Sequence, residues 1–257
     1  MLAHKYTLGT KIPLVFIHGF CEDSTVWDSF KNYFDGHPML FVDLPGFGTS
    51  EVQVDYTIND VADQIAGLIT KHELKKPIVI GHSMGGYTTC ALARKYETLL
   101  SGIALFHSHP FKDDAEKKKN RIKSIDFIKR NGAKVFVDQL IKNLFSVENE
   151  KKYPKEIQHM QQRAATYPKE AIVEGMKAML EREDNKLTME DLNIPVLMMV
   201  GKKDRVTTYE VCKKQFVLPK LGMIKVYEEI GHMGMIEDPD LTSRGILEFI
   251  ELINLLN

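Results

Sequence analysis

The sequence has few cysteines and no long apolar run. Its three cysteines, Cys21, Cys90 and Cys212, lie far apart and lack the paired spacing of a structural zinc site. We therefore expect no metal centre and a reducing, cytoplasmic compartment. The longest apolar stretches, at residues 14–17 and 196–200, are too short to span a bilayer, and the first residues lack the apolar core of a signal peptide. These features predict a soluble protein.

Neither sign of charge is in excess. The chain has 34 Lys and Arg residues against 35 Asp and Glu residues, so its formal net charge at pH 7 is −1. Without a global positive field, the protein is not drawn onto nucleic acid or an anionic membrane. We expect a small-molecule substrate as its partner, with the oligomeric state left open. The 257 residues are 44% hydrophobic and 27% charged, which is ordinary globular composition and excludes disorder.

Six short apolar runs stand apart along the chain and are rich in β-branched residues. Their continuous apolarity predicts strands that are buried on both faces. Helical patterns separate several of them, most clearly after the capping candidate Thr57, where apolar residues recur at steps of three and four through Ile69. The alternation predicts an α/β fold with a doubly wound, mostly parallel sheet. The runs lie at residues 14–17, 39–42, 78–80, 103–106, 196–200 and 224–227.

The alternation stops between Phe106 and Ile194, where the pattern is helical throughout. We predict a core of residues 1–106 and 191–257, with residues 107–190 inserted as a helical cap over one end of the sheet. This segment holds 18 Lys and Arg residues against 14 Asp and Glu residues. Its basic cluster at residues 117–123 is compatible with an anionic ligand, but a solvated helix face is the simpler interpretation.

The most informative segment is I-V-I-G-H-S-M-G-G-Y at residues 78–87, a buried strand that leads through a G-x-S-x-G turn into a helix. A nucleophile elbow needs this context, because its turn strains the central residue and its glycines let helix and strand approach. Ser83 is therefore a candidate nucleophile at the carboxyl edge of the sheet.

A serine hydroxyl needs a neighbouring base, and the base needs an acid that fixes its tautomer. Asp204 and His232 follow the last two apolar runs, so we expect both at the carboxyl ends of strands, where open α/β sheets build their sites. We predict a catalytic triad of Ser83, Asp204 and His232, in the chain order of this fold. With an ordinary pKa near 6.5, His232 is expected to be mostly neutral at pH 7.

Together these motifs resemble the α/β-hydrolase superfamily over nearly the whole chain. Many members of that superfamily begin with two antiparallel strands, whereas residues 5–8 leave room for one here. Besides the elbow, the resemblance rests on H-G-F at residues 18–20, D-L-P-G-F-G-T-S at residues 43–50 and G-H at residues 231–232.

The resemblance implies a serine hydrolase that needs no cofactor. The backbone N–H groups of Phe20 and Met84 would form the oxyanion hole, and residues 107–190 would be the cap. The substrate would be a small carboxylic ester, a lactone or a related acyl compound, cleaved through an acyl-enzyme on Ser83.

Three other functions stay open at this point. The same superfamily includes carbon–carbon bond hydrolases and a menaquinone-pathway lyase, whose anionic substrates the basic cap could hold. A binding protein that keeps the triad and signals through its cap is a second possibility, and halide-dependent peroxidation or perhydrolysis is a minor third. Dehalogenase and epoxide hydrolase chemistry is disfavoured, because those relatives carry aspartate at the position of Ser83.

Five further residues adjoin the predicted site and are candidates for the substrate pocket: Cys21, Trp27, His107, His109 and Met233. A small buried hydrophobic residue is the simpler interpretation of Cys21, Trp27 could equally belong to the core, and helix packing explains Met233 almost as well. The H-x-H pair at residues 107–109 suggests a metal, but no carboxylate or cysteine cluster accompanies it. We therefore favour pocket lining or a hydrogen bond to the substrate for these histidines.

Overall fold

The computed structural model describes residues 2–256, and a seven-stranded sheet forms its centre. The strand order is β1-β3-β2-β4-β5-β6-β7, with β1 antiparallel to β3 and every other neighbouring pair parallel. The predicted mostly parallel sheet is thus confirmed. The strands are β1 (His4–Thr7), β2 (Leu14–Ile17), β3 (Met39–Val42), β4 (Ile78–His82), β5 (Gly102–Phe106), β6 (Val196–Gly201) and β7 (Gly222–Tyr227).

Each of the six apolar runs lies in a strand, and β2 to β6 are buried along their whole length. For β7 the expectation of burial on both faces is wrong. This strand lies at the edge of the sheet, pairs with β6 alone, and leaves Ile224 42% exposed. At the other edge, β1 is the single antiparallel strand for which the sequence left room, placed one residue earlier than expected.

Helices flank the sheet and connect its strands. The first of them begins as predicted at Thr57, whose side chain accepts a hydrogen bond from the backbone N–H of Asp60, while the Asp60 carboxylate accepts one from the N–H of Thr57. The helices of the core are α1 (Ile58–Lys71), α2 (Met84–Tyr96), α9 (Tyr209–Cys212), α10 (Gly234–Glu237) and α11 (Pro239–Leu256). No helix within residues 2–256 is both long and apolar enough to cross a membrane.

Six helices lie between β5 and β6, and we call residues 107–190 the helical insertion. Hydrogen bonds connect the insertion to the loop after β2: the Asp23 carboxylate in that loop accepts from Arg163 Nε and from the Tyr167 hydroxyl. The helices are α3 (Ala115–Asn131), α4 (Lys134–Asn143), α5 (Val147–Lys152), α6 (Pro154–Ala164), α7 (Lys169–Glu181) and α8 (Lys186–Asp191), the last of which ends one residue beyond the insertion.

Candidate active site

Ser83 lies at the turn between β4 and α2 in a strained backbone conformation, with φ 51° and ψ −113°. A positive φ is costly for a residue that has a Cβ atom. The turn is held by the Ser83 N–H, which donates to the carbonyl of Phe106 at 3.1 Å, and by the Ser108 hydroxyl, which donates to the Ser83 carbonyl at 2.7 Å. This is the backbone geometry that the G-x-S-x-G motif predicts.

Two glycines of the motif allow α2 to lie directly against the strands. A Cβ atom on Gly85 would clash with the carbonyl oxygens of Ile17 and His18. A Cβ atom on Gly81 would clash with the Thr89 hydroxyl on α2. The glycines are therefore needed for space between backbones, and this close packing fixes where α2 begins.

Asp204 and His232 form a buried hydrogen-bonded pair. Asp204 Oδ2 lies 2.6 Å from His232 Nδ1, and both side chains are at most 1% exposed. A carboxylate only accepts hydrogen bonds, so Nδ1 carries the hydrogen and the lone pair of Nε2 is free. His232 Nε2 has no hydrogen-bond partner within residues 2–256, so the Ser83 hydroxyl is not bonded to it in this structure.

The loop that carries His232 is nevertheless hydrogen-bonded to His82, the residue before Ser83. His82 Nε2 lies 2.9 Å from the carbonyl oxygen of His232. The centres of the two imidazole rings are 4.7 Å apart. The ends of β4, β6 and β7 thus bring the three residues of the predicted triad to one edge of the sheet.

The surroundings of the pair change both ionisations. Burial alone would raise the pKa of Asp204, but the charge of His232 and hydrogen bonds from His232 and Thr207 lower it to about 2. Burial lowers the pKa of His232, but the Asp204 charge and hydrogen bond outweigh it and raise that pKa above 6.5. The expectation of an ordinary pKa for His232 is therefore wrong.

Sequence reasoning missed Thr207, which contacts Asp204 directly. Its hydroxyl lies 2.6 Å from Asp204 Oδ2, and its backbone N–H donates to Oδ1 at 2.8 Å. The N–H of Val206 donates to the same Oδ1 at 2.7 Å. These bonds hold the carboxylate in place, and a threonine three residues after an aspartate is a pattern that could have suggested them.

Sequence reasoning also missed Glu237, which holds the loop around His232. Its buried carboxylate accepts hydrogen bonds from the backbone N–H groups of Gly231 at 3.0 Å and Met233 at 2.9 Å. It also accepts one from Asn149 Nδ2 on α5. The residues on both sides of His232 are therefore fixed by one side chain.

The two amides assigned to the oxyanion hole are free. Neither the Phe20 N–H nor the Met84 N–H donates a hydrogen bond to another group of the described chain. Met84 is the first residue of α2, so its N–H lies at the positive end of the helix dipole. Both donors are thus available to an anionic oxygen.

A cavity of about 500 Å³ adjoins this region, and three segments form its walls. Cys21 and Glu22, directly after Phe20, form one wall, and Met235, shortly after His232, forms another. The third wall belongs to the helical insertion, with Tyr153 and Met160 among its residues. The cavity is therefore lined by the segments that follow the predicted oxyanion donor and the predicted base, while Ser83 and His232 themselves are not part of its lining.

The charged residues around this cavity are mostly acidic. Its lining includes Glu22, Asp23, Asp28 and Glu156, against the guanidinium of Arg163. Arg163 is already paired with Asp23 through Nε. The basic cluster at residues 117–123 lies on α3 and is not part of the lining.

Of the five pocket candidates, Cys21 lines the cavity, with a positive φ of 61°. Burial raises the pKa of its thiol. Trp27 lies in the core, where its ring packs against Phe16 and Phe106. Met233 is fully buried and is not part of the cavity lining.

His107 and His109 are both fully buried and neutral. His107 Nδ1 accepts a hydrogen bond from the Gly201 N–H at 3.2 Å, and burial lowers its pKa to about 3. His109 Nδ1 accepts one from the Phe111 N–H, and burial lowers its pKa well below 6.5. Neither lines the cavity, and residues 2–256 contain no group of three or more side chains able to hold a metal.

Residues 12–239 match the model of a family described as alpha/beta hydrolase fold. The chain belongs to this family. It is therefore an α/β-hydrolase-fold enzyme, as the motifs around Ser83 and His232 implied, and its fold agrees with the solved structures that it resembles.

Similar proteins include several hydrolases. A hydrolase of Bacillus subtilis, YugF, is 26% identical, covering 93% of this chain and 89% of its own. A pimeloyl-[acyl-carrier protein] methyl ester esterase of Wigglesworthia glossinidia brevipalpis is 25% identical over 95% of each chain. A 2-succinyl-6-hydroxy-2,4-cyclohexadiene-1-carboxylate synthase of Escherichia coli is 32% identical, but over 43% of this chain and 44% of its own. A thermophilic esterase from Thermogutta terrifontis superposes with a TM-score of 0.91 at 29% identity, covering 98% of this chain and 93% of that one.

Proposed function

We propose that this enzyme is a serine esterase, with Ser83 as nucleophile, His232 as base and Asp204 as the acid that orients it. One observation carries the proposal. Ser83, in its strained conformation, directly follows His82, the last residue of β4. His82 is hydrogen-bonded to the carbonyl oxygen of His232, whose side chain forms a buried pair with Asp204. Such an arrangement activates a hydroxyl that is otherwise a weak nucleophile at neutral pH.

The mechanism follows from the positions of the hydrogens on the two ring nitrogens of His232. Because Nδ1 of His232 donates to Asp204, the free Nε2 accepts the proton of Ser83 as its oxygen attacks the ester carbonyl. The free N–H groups of Phe20 and Met84 stabilise the oxyanion. Protonated His232 then gives its proton to the departing alcohol, and water hydrolyses the acyl-enzyme by the same steps.

We propose a small ester or lactone without a negative charge as the substrate, bound partly in the cavity beside Cys21. Arg163 is the one Lys or Arg side chain in the cavity lining and is neutralised by Asp23, so the cavity offers no unpaired guanidinium or ammonium group to bind an anion. The helical insertion would act as the cap over this cavity, because Tyr153 and Met160 form part of its wall.

The alternative is carbon–carbon cleavage or lyase chemistry with the same triad. The partial similarity to the Escherichia coli synthase supports it. The cavity does not, because its one guanidinium is paired with Asp23 and no other Lys or Arg side chain lines it to bind the carboxylated substrates of that chemistry. Ester hydrolysis is therefore the function that the site supports best.

Labelling with a fluorophosphonate tests the nucleophile. We expect the wild-type protein to be labelled and Ser83→Ala to remain unlabelled, while His232→Gln keeps its fold but loses turnover. Label retained by Ser83→Ala would refute the assignment.

A substrate panel then tests the chemistry. It compares neutral esters of increasing acyl length, matched esters with a terminal carboxylate, and a carboxylated diketone. Preference for the neutral esters supports the proposal, whereas faster cleavage of the diketone or elimination of pyruvate supports the alternative.

A further inference from the structure

The hydrogen-bond partners of the two ring nitrogens of a buried histidine indicate which of those nitrogens carry a hydrogen. His18 is the neutral case, since its Nδ1 donates to the carbonyl of Gly19 at 2.7 Å and its Nε2 accepts from the N–H of Leu44 at 2.9 Å. One donor and one acceptor describe an uncharged imidazole. The same test gives a different answer at His82.

Both ring nitrogens of His82 face groups that accept. Nε2 lies 2.9 Å from the His232 carbonyl oxygen, which can only accept a hydrogen bond. Nδ1 lies 3.0 Å from Glu22 Oε2. If Glu22 is ionised, both nitrogens must donate and the ring is a cation.

The environment of Glu22 favours its ionised form. The Gly19 N–H donates to the same Oε2 at 2.9 Å, which stabilises negative charge on that oxygen. Burial raises the pKa of Glu22, but its partner His82 and the Gly19 N–H lower it below 4.5, so opposite charges on the two side chains stabilise each other. Gly19 also leaves space for the pair, because a Cβ atom there would lie 2.8 Å from His82 Nδ1.

We propose that Glu22 and His82 form a buried carboxylate–imidazolium pair that positions the oxyanion loop, the nucleophile and the base relative to one another. Glu22 lies two residues after Phe20, and His82 directly precedes Ser83. The third contact is the bond from His82 to the carbonyl of His232. One ion pair thus joins the three segments that must meet in the reaction.

The pair is electrically neutral as a unit, which suits its place beside the base. The ring of His82 faces the rings of His232 at 4.7 Å and His107 at 6.4 Å, and the charged group against it is Glu22. An unpaired cation at this position would oppose protonation of His232 during the reaction. With the Glu22 carboxylate beside it, the positive charge of His82 strengthens the hydrogen bonds of its ring without opposing the protonation of His232.

Histidine NMR on the whole protein tests the charge directly and does not depend on the proposed esterase activity. In protein labelled with 15N-histidine we expect both nitrogens of His82 to carry protons at pH 7.5, while His18 in the same sample carries one. Glu22→Gln keeps the side-chain shape, and its amide can donate to a neutral Nδ1, so His82 should then lose one proton. A wild-type His82 with one bare nitrogen overturns the proposal.

Kinetics test the positioning role, and this part rests on the proposed function. His82→Phe keeps the ring but removes both hydrogen bonds, so we expect kcat to fall about 100-fold with KM changed by less than about threefold. Glu22→Gln should lose less activity than His82→Phe, because neutral hydrogen bonds remain. In the pH profile of kcat/KM, the acid limb of Glu22→Gln should stay near that of wild type, because the negative charge of Glu22 and the positive charge of His82 are lost together.

His37→Phe is the matched control. His37 is a buried histidine in the segment between β2 and β3, away from the site, and its ring is hydrogen-bonded to the Ile12 carbonyl. Unchanged kcat in His82→Phe, or a fall as large in His37→Phe, overturns the positioning role. If Ser83 resists fluorophosphonate, the esterase proposal fails while the NMR result still decides the ion pair.

Discussion

The backbone N–H of His232 donates a hydrogen bond to the carbonyl oxygen of Leu144 at 2.9 Å. Leu144 belongs to the helical insertion, so the predicted base is held partly from outside the core. Arg205, next to Asp204, likewise donates to the carbonyl of Phe145 at 2.5 Å. The short segment between α4 and α5 therefore contacts the loops of both the predicted acid, Asp204, and the predicted base, His232.

Asp204→Asn should lower kcat by about 10³- to 10⁴-fold. The amide can present its N–H to Nδ1 of His232, which shifts the hydrogen to Nε2 and leaves no lone pair for Ser83. Steady-state ester hydrolysis measures the loss, and circular dichroism checks the fold. Retention of more than about a tenth of wild-type kcat would contradict the role given to Asp204.

The pH profile of kcat/KM should show an acid limb above pH 6.5, because the pKa of His232 is raised and the protonated ring cannot accept a proton. Activity therefore rises as the pH increases through this pKa. Rates measured with a neutral ester report it without titration of the substrate. A limb below pH 6.5 would show that Asp204 does not raise the pKa of His232.

Stability should depend on the same pair. The raised pKa of His232 contributes stability that is fully present below pH 6.5 and lost as pH rises through the folded-state pKa. The lowered pKa of Asp204 contributes stability that is present above pH 3.8 and lost as pH falls towards about 2. The difference in unfolding free energy between wild type and Asp204→Asn should thus peak between these limits, as urea titrations at several pH values would reveal. An equal difference at all pH values would refute the coupling.

Glu237→Ala should destabilise the protein by about 2 to 5 kcal/mol, because it leaves the buried N–H groups of Gly231 and Met233 without an acceptor. Glu237→Gln can still accept, so it should lose less. Chemical denaturation measures both variants, and kcat should fall in the same order because His232 lies between the freed amides. Equal stability of Glu237→Ala and wild type would exclude this role.

Tyr167→Phe should destabilise the contact between the insertion and the loop after β2 by about 1 kcal/mol, because it removes the hydroxyl that donates to Asp23 at 2.5 Å. Since Tyr167 also lines the cavity, KM should rise while kcat changes little. Tyr33→Phe is the control, because its hydroxyl bonds Asp240 at an exposed position. Equal effects of the two substitutions on KM would contradict a local role for Tyr167.

The sequence predicted those features that depend on local patterns. The apolar runs located the strands, and G-x-S-x-G located the strained Ser83, because both signals lie within a few consecutive residues. Asp204 and His232 could be proposed because each follows a strand, and strand ends meet at one edge. Their mutual hydrogen bond could be expected from this placement alone.

Other features depend on contacts between distant segments and could not be predicted. Glu22 and Glu237 act by accepting hydrogen bonds from loop amides and side chains, and nothing in their own neighbourhoods distinguishes them from surface carboxylates. The exposure of Ile224 follows from the strand order, which places β7 at an edge. The raised pKa of His232 follows from burial against Asp204, which the sequence does not measure.

The bonds from the insertion to the His232 loop limit how this enzyme can be redesigned. Exchange of residues 107–190 for the corresponding segment of a relative would replace the segment that positions the Leu144 carbonyl and the Asn149 side chain, together with the cavity wall. A chimera intended to change selectivity would therefore also disturb the imidazole. Replacing the rest of the insertion while retaining residues 142–153 would keep these anchors and alter the remaining helices alone.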